Sequence, residues 1–129
     1  MNFSIDLWVN GSNYAPLGET EVGNDYVVVT GTPTIPTAAR VNDTAPLYTA
    51  NRYATSTKAV LLGTRTVSYV VEADTASTAL ITLIQETKDT SNVTTGRFTQ
   101  QLRITPNGTF TRIKETAVEG TKTNFTLTY

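Results

Sequence analysis

Phe98, Gln100, Leu102 and Ile104 alternate with Arg97, Thr99, Gln101, Arg103 and Thr105, and Pro106-Asn107-Gly108-Thr109 follows at once. A two-residue period is the spacing at which side chains of a strand share one face. Asn-Gly between two alternating runs is the strongest short-range signal for a hairpin. With Asn107 and Gly108 as the central turn residues, Leu102 faces Ile113, Ile104 faces Thr111 and Phe98 faces Ala117. Apolar partners then meet on one side, so pattern and turn agree. The same register sets Arg103 opposite Arg112 on the other side, with Arg97 and Lys114 nearby. Like charges directly opposite each other cost stability.

The rest of the chain reads the same way. Phe3, Ile5, Leu7 and Val9 alternate with Ser4, Asp6 and Trp8, up to the turn residues Asn10-Gly11-Ser12. Asp25 to Thr30 is a continuously apolar strand, and residues 65–73 put Val67, Tyr69, Val71 and Ala73 on one face. Residues 78–87 have apolar spacing that suits a helix or a buried strand, and their threonines and isoleucines favour the strand. Asn124 to Tyr129 alternates to its last residue, as a strand paired in its own sheet or a neighbour's would. Residues 31–58 are different, since Pro33, Pro36 and Pro46 rule out continuous helix or central strand. This stretch retains Ile35, Leu47, Tyr48 and Tyr53, which predicts an irregular arm or loop that packs on something.

Composition supports sheet and removes most chemistry. Threonine fills 27 of the 129 positions, and its branched side chain fits a half-solvated pleated surface. The length suits one domain. The chain has no cysteine and no histidine, so thiolate zinc sites, disulfides, and Ser-His-Asp or Cys-His catalysis are excluded. No apolar run approaches the roughly 20 residues of a membrane-spanning helix, and no signal peptide is visible. Residues 1–39 carry Asp6, Glu19, Glu21 and Asp25 and no cation, which leaves the remainder at +3. Acidic and basic surfaces of neighbouring copies can therefore meet head to tail.

The cationic face of the 97–114 hairpin is the leading candidate site, suited to phosphate or to an acidic protein surface. Single-stranded nucleic acid would need interleaved stacking aromatics, and only Phe110 is expected there, which disfavours that partner. Glu19, Glu21, Asn24 and Asp25 are rich in oxygen but match no calcium-loop spacing, so they read as an acidic turn and no metal is expected. Glu115 and Glu119 form a carboxylate pair with nothing else of a glycosidase around it. The six Asn-x-Ser/Thr triplets follow from the Ser and Thr content. No enzyme, cofactor or small-molecule substrate is expected. Trp8, on the polar phase of its strand, is either an interface anchor or a contact within the fold.

These features describe an all-β antiparallel sandwich or barrel, jelly-roll or immunoglobulin-like, of seven or eight strands. A Thr-rich chain without Cys or His, starting and ending in strands, resembles the small accessory virion proteins of tailed bacteriophages, including capsid decoration (cement) proteins. The coats of single-stranded RNA phages have similar length but end in helices, unlike residues 123–129. The phage resemblance implies a non-enzymatic structural protein in the virion, assembled in the host cytoplasm. Its implied partners are copies of itself and a major capsid or other virion protein, with no membrane. Arg97, Arg103, Arg112, Lys114, Trp8, Tyr48, Tyr53 and Tyr129 are the expected interface residues. A carbohydrate-binding or adhesin-like module is the alternative, followed by another head-tail component or a single-stranded nucleic-acid binder.

Overall fold

A computed structural model describes residues 5–21 and 25–129. Phe3 of the first alternating run, and Gly23 and Asn24 of the acidic segment, lie outside the described residues. Among the described residues nine strands follow in order: β1 (Ile5–Val9), β2 (Pro16–Glu21), β3 (Tyr26–Thr30), β4 (Thr44–Tyr53), β5 (Leu61–Ala73), β6 (Ala79–Lys88), β7 (Thr94–Ile104), β8 (Phe110–Glu119) and β9 (Lys122–Thr128). Each pairs antiparallel with its neighbours in sequence, so the all-β antiparallel expectation is met. The sheet is a meander, without the Greek-key returns of a jelly roll or an immunoglobulin-like domain, and it stays open. Residues 78–87 lie within strand, as their branched side chains require.

Pleating sorts the side chains onto two faces. The apolar face carries Val27 and Val29 of β3, Tyr48 and Ala50 of β4, Val67, Tyr69 and Val71 of β5, Ile81 and Leu83 of β6, and Leu102 and Ile104 of β7. The opposite face is rich in threonine, with Thr66, Thr82 and Thr99 across its centre. Burial on the apolar face is shallow. Among the described residues only Val27, Ala50, Tyr69 and Val71 are buried hydrophobics. The chain exposes 8573 Å2, whereas a compact monomer of 14.0 kDa exposes about 6,700 Å2. Roughly a quarter more surface than a self-sufficient domain needs is left in solvent.

The structure corrects three expectations. The 31–58 arm is shorter, because residues 44–53 form β4. Pro46 is tolerated there because β3 pairs only with Thr49–Tyr53, so the Pro46 end of β4 has β5 on one side alone, next to a bulge at Leu47. Two irregular pieces remain, 31–43 and 54–58, and the first lies over the apolar face of its own sheet. It is tied by Thr34 N–H to the Leu47 carbonyl (2.7 Å), Asn42 N–H to the Val71 carbonyl (2.8 Å) and Val71 N–H to the Asp43 carbonyl (2.9 Å).

The second correction is β2, which takes Glu19 and Glu21 of the segment read as an acidic turn into a strand. Pro16 opens the strand, where a missing N–H does least harm. Gly18 leaves room for the Trp8 ring across the β1–β2 pair.

The third concerns the β7–β8 register. Phe98 faces Ala117 as expected, but Leu102 faces Arg112, Arg103 faces Thr111 and Ile104 faces Phe110. Pro106, with its φ preset near −65°, suits the first central position of a type I turn, and Gly108 follows at φ 84°. Gly108 N–H donates to the Thr105 carbonyl and Thr105 N–H to the Thr109 carbonyl, both at 2.9 Å, which makes the connection one residue longer than an Asn-Gly two-residue turn. A bulge at Ile113 restores the expected register further from the turn.

Candidate functional site

The register change disperses the cationic face. Arg103 stays on the polar face, where its guanidinium meets Asp74 (Nε to Oδ2, 2.6 Å) in the β5–β6 connection. Arg112 moves to the apolar face opposite Leu102, 3.4 Å from Glu115 and 5.5 Å above the Tyr129 ring. Phe110 also turns to the apolar face, opposite Ile104. Arg97 and Lys114 remain exposed on the polar face, and neither forms an ion pair among the described residues. The Arg103–Arg112 repulsion expected from the two-residue turn is therefore absent, and the two cations point to opposite sides of the sheet.

The aromatic candidates do not converge either. Trp8 is half-buried and packs on Tyr26, with centroids 4.9 Å apart and planes at 55°. This is the contact within the fold. Tyr53 lies opposite Tyr26, and its hydroxyl accepts from Asn51 Nδ2 (3.3 Å). Tyr48 is on the other face, half-buried, with its phenol pushed up by burial. The Tyr129 hydroxyl donates to Glu115 Oε2 (2.8 Å).

Three charged groups are buried among the described residues, Asp25, Arg65 and Glu115, and Arg65 had no place in the sequence analysis. Arg65 sits on the apolar phase of β5 with Val67, Tyr69 and Val71, and a charge in that phase is the signal that could have marked it. Its guanidinium pairs with Glu19 and lies 3.7 Å from Asp25, which also receives Arg52 Nε at 2.6 Å. Burial pulls the Arg65 group below its ordinary value, and its Nε–H has no acceptor among the described residues. Two cations and two anions thus neutralise each other, so Glu19 and Asp25 serve as ion-pair partners inside the fold. Glu115, the buried charge outside this cluster, is held by Gln100 Nε2 (2.6 Å) and Tyr129. No cluster of potential metal ligands forms among the described residues.

Hydrogen bonds from Gln100 and Tyr129, opposed by partial desolvation and helped by Arg112, hold the Glu115 carboxyl below the usual carboxylate range. A depressed folded pKa contributes stability that is full above the unfolded value of about 4.3 and is lost as pH falls through the folded value. Glu115→Gln is therefore expected to lower the Tm near pH 6 while flattening its decline below about pH 4. Thermal unfolding across pH 2.5–7 (a range of about 4 to 5 units around that value) checks this. An acid limb identical in both proteins would refute the role of Glu115.

The strongest surface feature is apolar. Leu7 is 68 % exposed in β1, with Ile5 and Val9 beside it, and Phe125 and Leu127 of β9 are exposed, as is Tyr129 just after it. Leu7 and Leu127 both belong to the apolar face, one at each side of the sheet. Between them the 31–43 stretch roofs a cavity of about 450 Å3 whose lining includes Ile35, Val41, Tyr69, Val71, Ile81 and Leu83. No family model matches the chain, and no curated protein or solved structure matches it either.

Proposed function

We propose that this chain is a non-enzymatic structural protein of a virus particle, of the decoration or cement kind. It stabilises a shell by contacts with copies of itself and with a major capsid or other virion protein. The observation that carries this reading is an open sheet whose two edge strands keep their apolar residues exposed in a single chain. A soluble monomer hides such surface, and large exposed apolar patches mark interaction sites. The sandwich or barrel suggested by the sequence is completed between copies, each neighbour supplying the layer or the closure that one chain lacks. Many weak contacts to a repeating lattice then sum through multivalency.

The alternatives fit the geometry less well. A carbohydrate platform needs exposed, flat-lying rings, whereas Trp8 and Tyr26 are half-buried and tilted against each other. A single-stranded nucleic-acid groove needs clustered cations and stacking aromatics, and here Arg103 and Arg112 are paired on opposite faces. The test is the solution mass by light scattering over a concentration series. A discrete multiple of 14.0 kDa that survives dilution is expected. A strict monomer throughout would count against the assembly role.

A further inference from the structure

The outer sides of β1 and β9 each present backbone N–H and C=O groups that no other strand covers among the described residues. Such a row is a template for another strand, and proteins that keep it free guard it with charges, prolines or bulges. The guards here are thin. β1 has one charged residue, Asp6, and β9 has one, Lys122; neither strand contains proline. The β9 bulge falls at Asn124, so Phe125–Thr128 pairs regularly with β8 and leaves an undistorted outer edge. Ile5–Trp8 does the same against β2.

We propose that β9 of one copy adds onto β1 of the next, so that the sheet continues across the join with its apolar face on one side. The inference rests on the assembly reading above and names the surface that performs it. Three observations select this join over a pairing of like edges. First, one unlike contact, repeated, covers both edges of every copy, whereas β1 on β1 leaves each β9 open. Second, the sole charges of the two strands are opposite, and like-edge pairing brings Asp6 towards Asp6 or Lys122 towards Lys122. Third, the surplus surface of roughly 1,900 Å2 over a compact chain matches two half-interfaces of about 800 Å2 each, which is what a copy needs to engage a neighbour on both sides.

Strand number sets the geometry. With nine antiparallel strands, β1 and β9 run in the same direction. A join that repeats while keeping the apolar face on one side is therefore a parallel ladder. If the rotation from copy to copy closes, the product is a ring in which the joined sheets form one large barrel; if not, it is a filament. The row Ile5-Leu7-Val9 meets the row Phe125-Leu127 across each join, covering side chains that the single chain leaves in water.

The test uses two variants of the whole chain, Ile5→Lys with Leu7→Lys to guard β1, and Phe125→Lys with Leu127→Lys to guard β9. All four positions are exposed, so the fold is expected to persist, with unchanged circular dichroism. Light scattering should find the unmodified chain oligomeric and each variant alone monomeric at close to 14.0 kDa. An equimolar mixture should double that mass, because the open β9 of the first variant fits the open β1 of the second and nothing can add further. A mixture that stays monomeric, or a variant that assembles alone like the unmodified chain, overturns the β9-to-β1 join and leaves the assembly role standing. An unmodified chain that is itself monomeric overturns both.

Discussion

Arg65→Ala is expected to destabilise the fold by about 3–5 kcal/mol, the usual cost of removing one member of a buried ion pair. The Arg65 side chain is 8 % exposed, Asp25 9 % and Glu19 20 %, so little water reaches the pair once the cation is gone. Glu19 would lose the guanidinium that neutralises it, and Asp25 would keep only Arg52. Against a total stability of about 5–15 kcal/mol for a typical domain, this is a large fraction. Urea denaturation should show the midpoint falling with an unchanged slope. Arg65→Met combined with Glu19→Gln should recover much of the loss, because removing both charges together leaves less buried charge uncompensated. A single substitution costing under about 1 kcal/mol would mean that the cluster is solvated and contributes as a surface pair does.

Gly63→Ala is expected to cost a similar amount by a different route. Gly63 lies opposite Arg52, next to the bulge at Leu62, with φ at 140°, a conformation that side chains other than glycine's rarely adopt. A β-carbon built there would run into the Lys88 carbonyl oxygen and lie 2.9 Å from the Asp89 backbone. Backbone groups cannot rotate away as a side chain can, so strands β5 and β6 would have to part at this end. Strain of about 1–3 kcal/mol for the dihedral adds to about 1–3 kcal/mol for overpacking. The same denaturation series measures it, and a stability within about 0.5 kcal/mol of the parent, the range of neutral surface changes, would refute the close approach. Gly108→Ala serves as a control, since a β-carbon there meets nothing within 4 Å and only the dihedral penalty remains.

Much of the fold was legible because the alternation is local. Residues 65–73 and 97–104 declare their strands through side-chain period alone, and the threonines resolve residues 78–87. β2 was not legible, because Glu19 occupies a position facing the apolar side, where a strand pattern calls for a hydrophobic residue. Its acceptability depends on Arg65, a residue 46 positions away that breaks the pattern of its own strand in the complementary sense. Each charge looks like an error alone; only the pairing in space explains both. The β7–β8 register failed for a narrower reason: Pro106 outweighed Asn107-Gly108 in choosing the turn. That one-residue difference moved Arg112 across the sheet, so the expected cationic site was lost through turn chemistry. The exposed hydrophobics of β1 and β9 were legible as strand but not as edge, since alternation reports a face and says nothing about whether anything covers it.

The strictly sequential strand order has a kinetic meaning. Every ladder joins segments adjacent along the chain, and none has to wait for a distant partner. Loop-closure entropy is therefore met in small instalments, and the usual slowness of all-β folds, which comes from pairing remote segments, does not apply in full. Each hairpin can form beside the last, in the manner of a zipper that can start at any tooth. The same linearity makes stability a sum of neighbour terms along the row, as in repeat proteins. Loosening then begins at the outermost strands and works inward, and a copy emerging residue by residue during synthesis can add its strands in the order in which they appear.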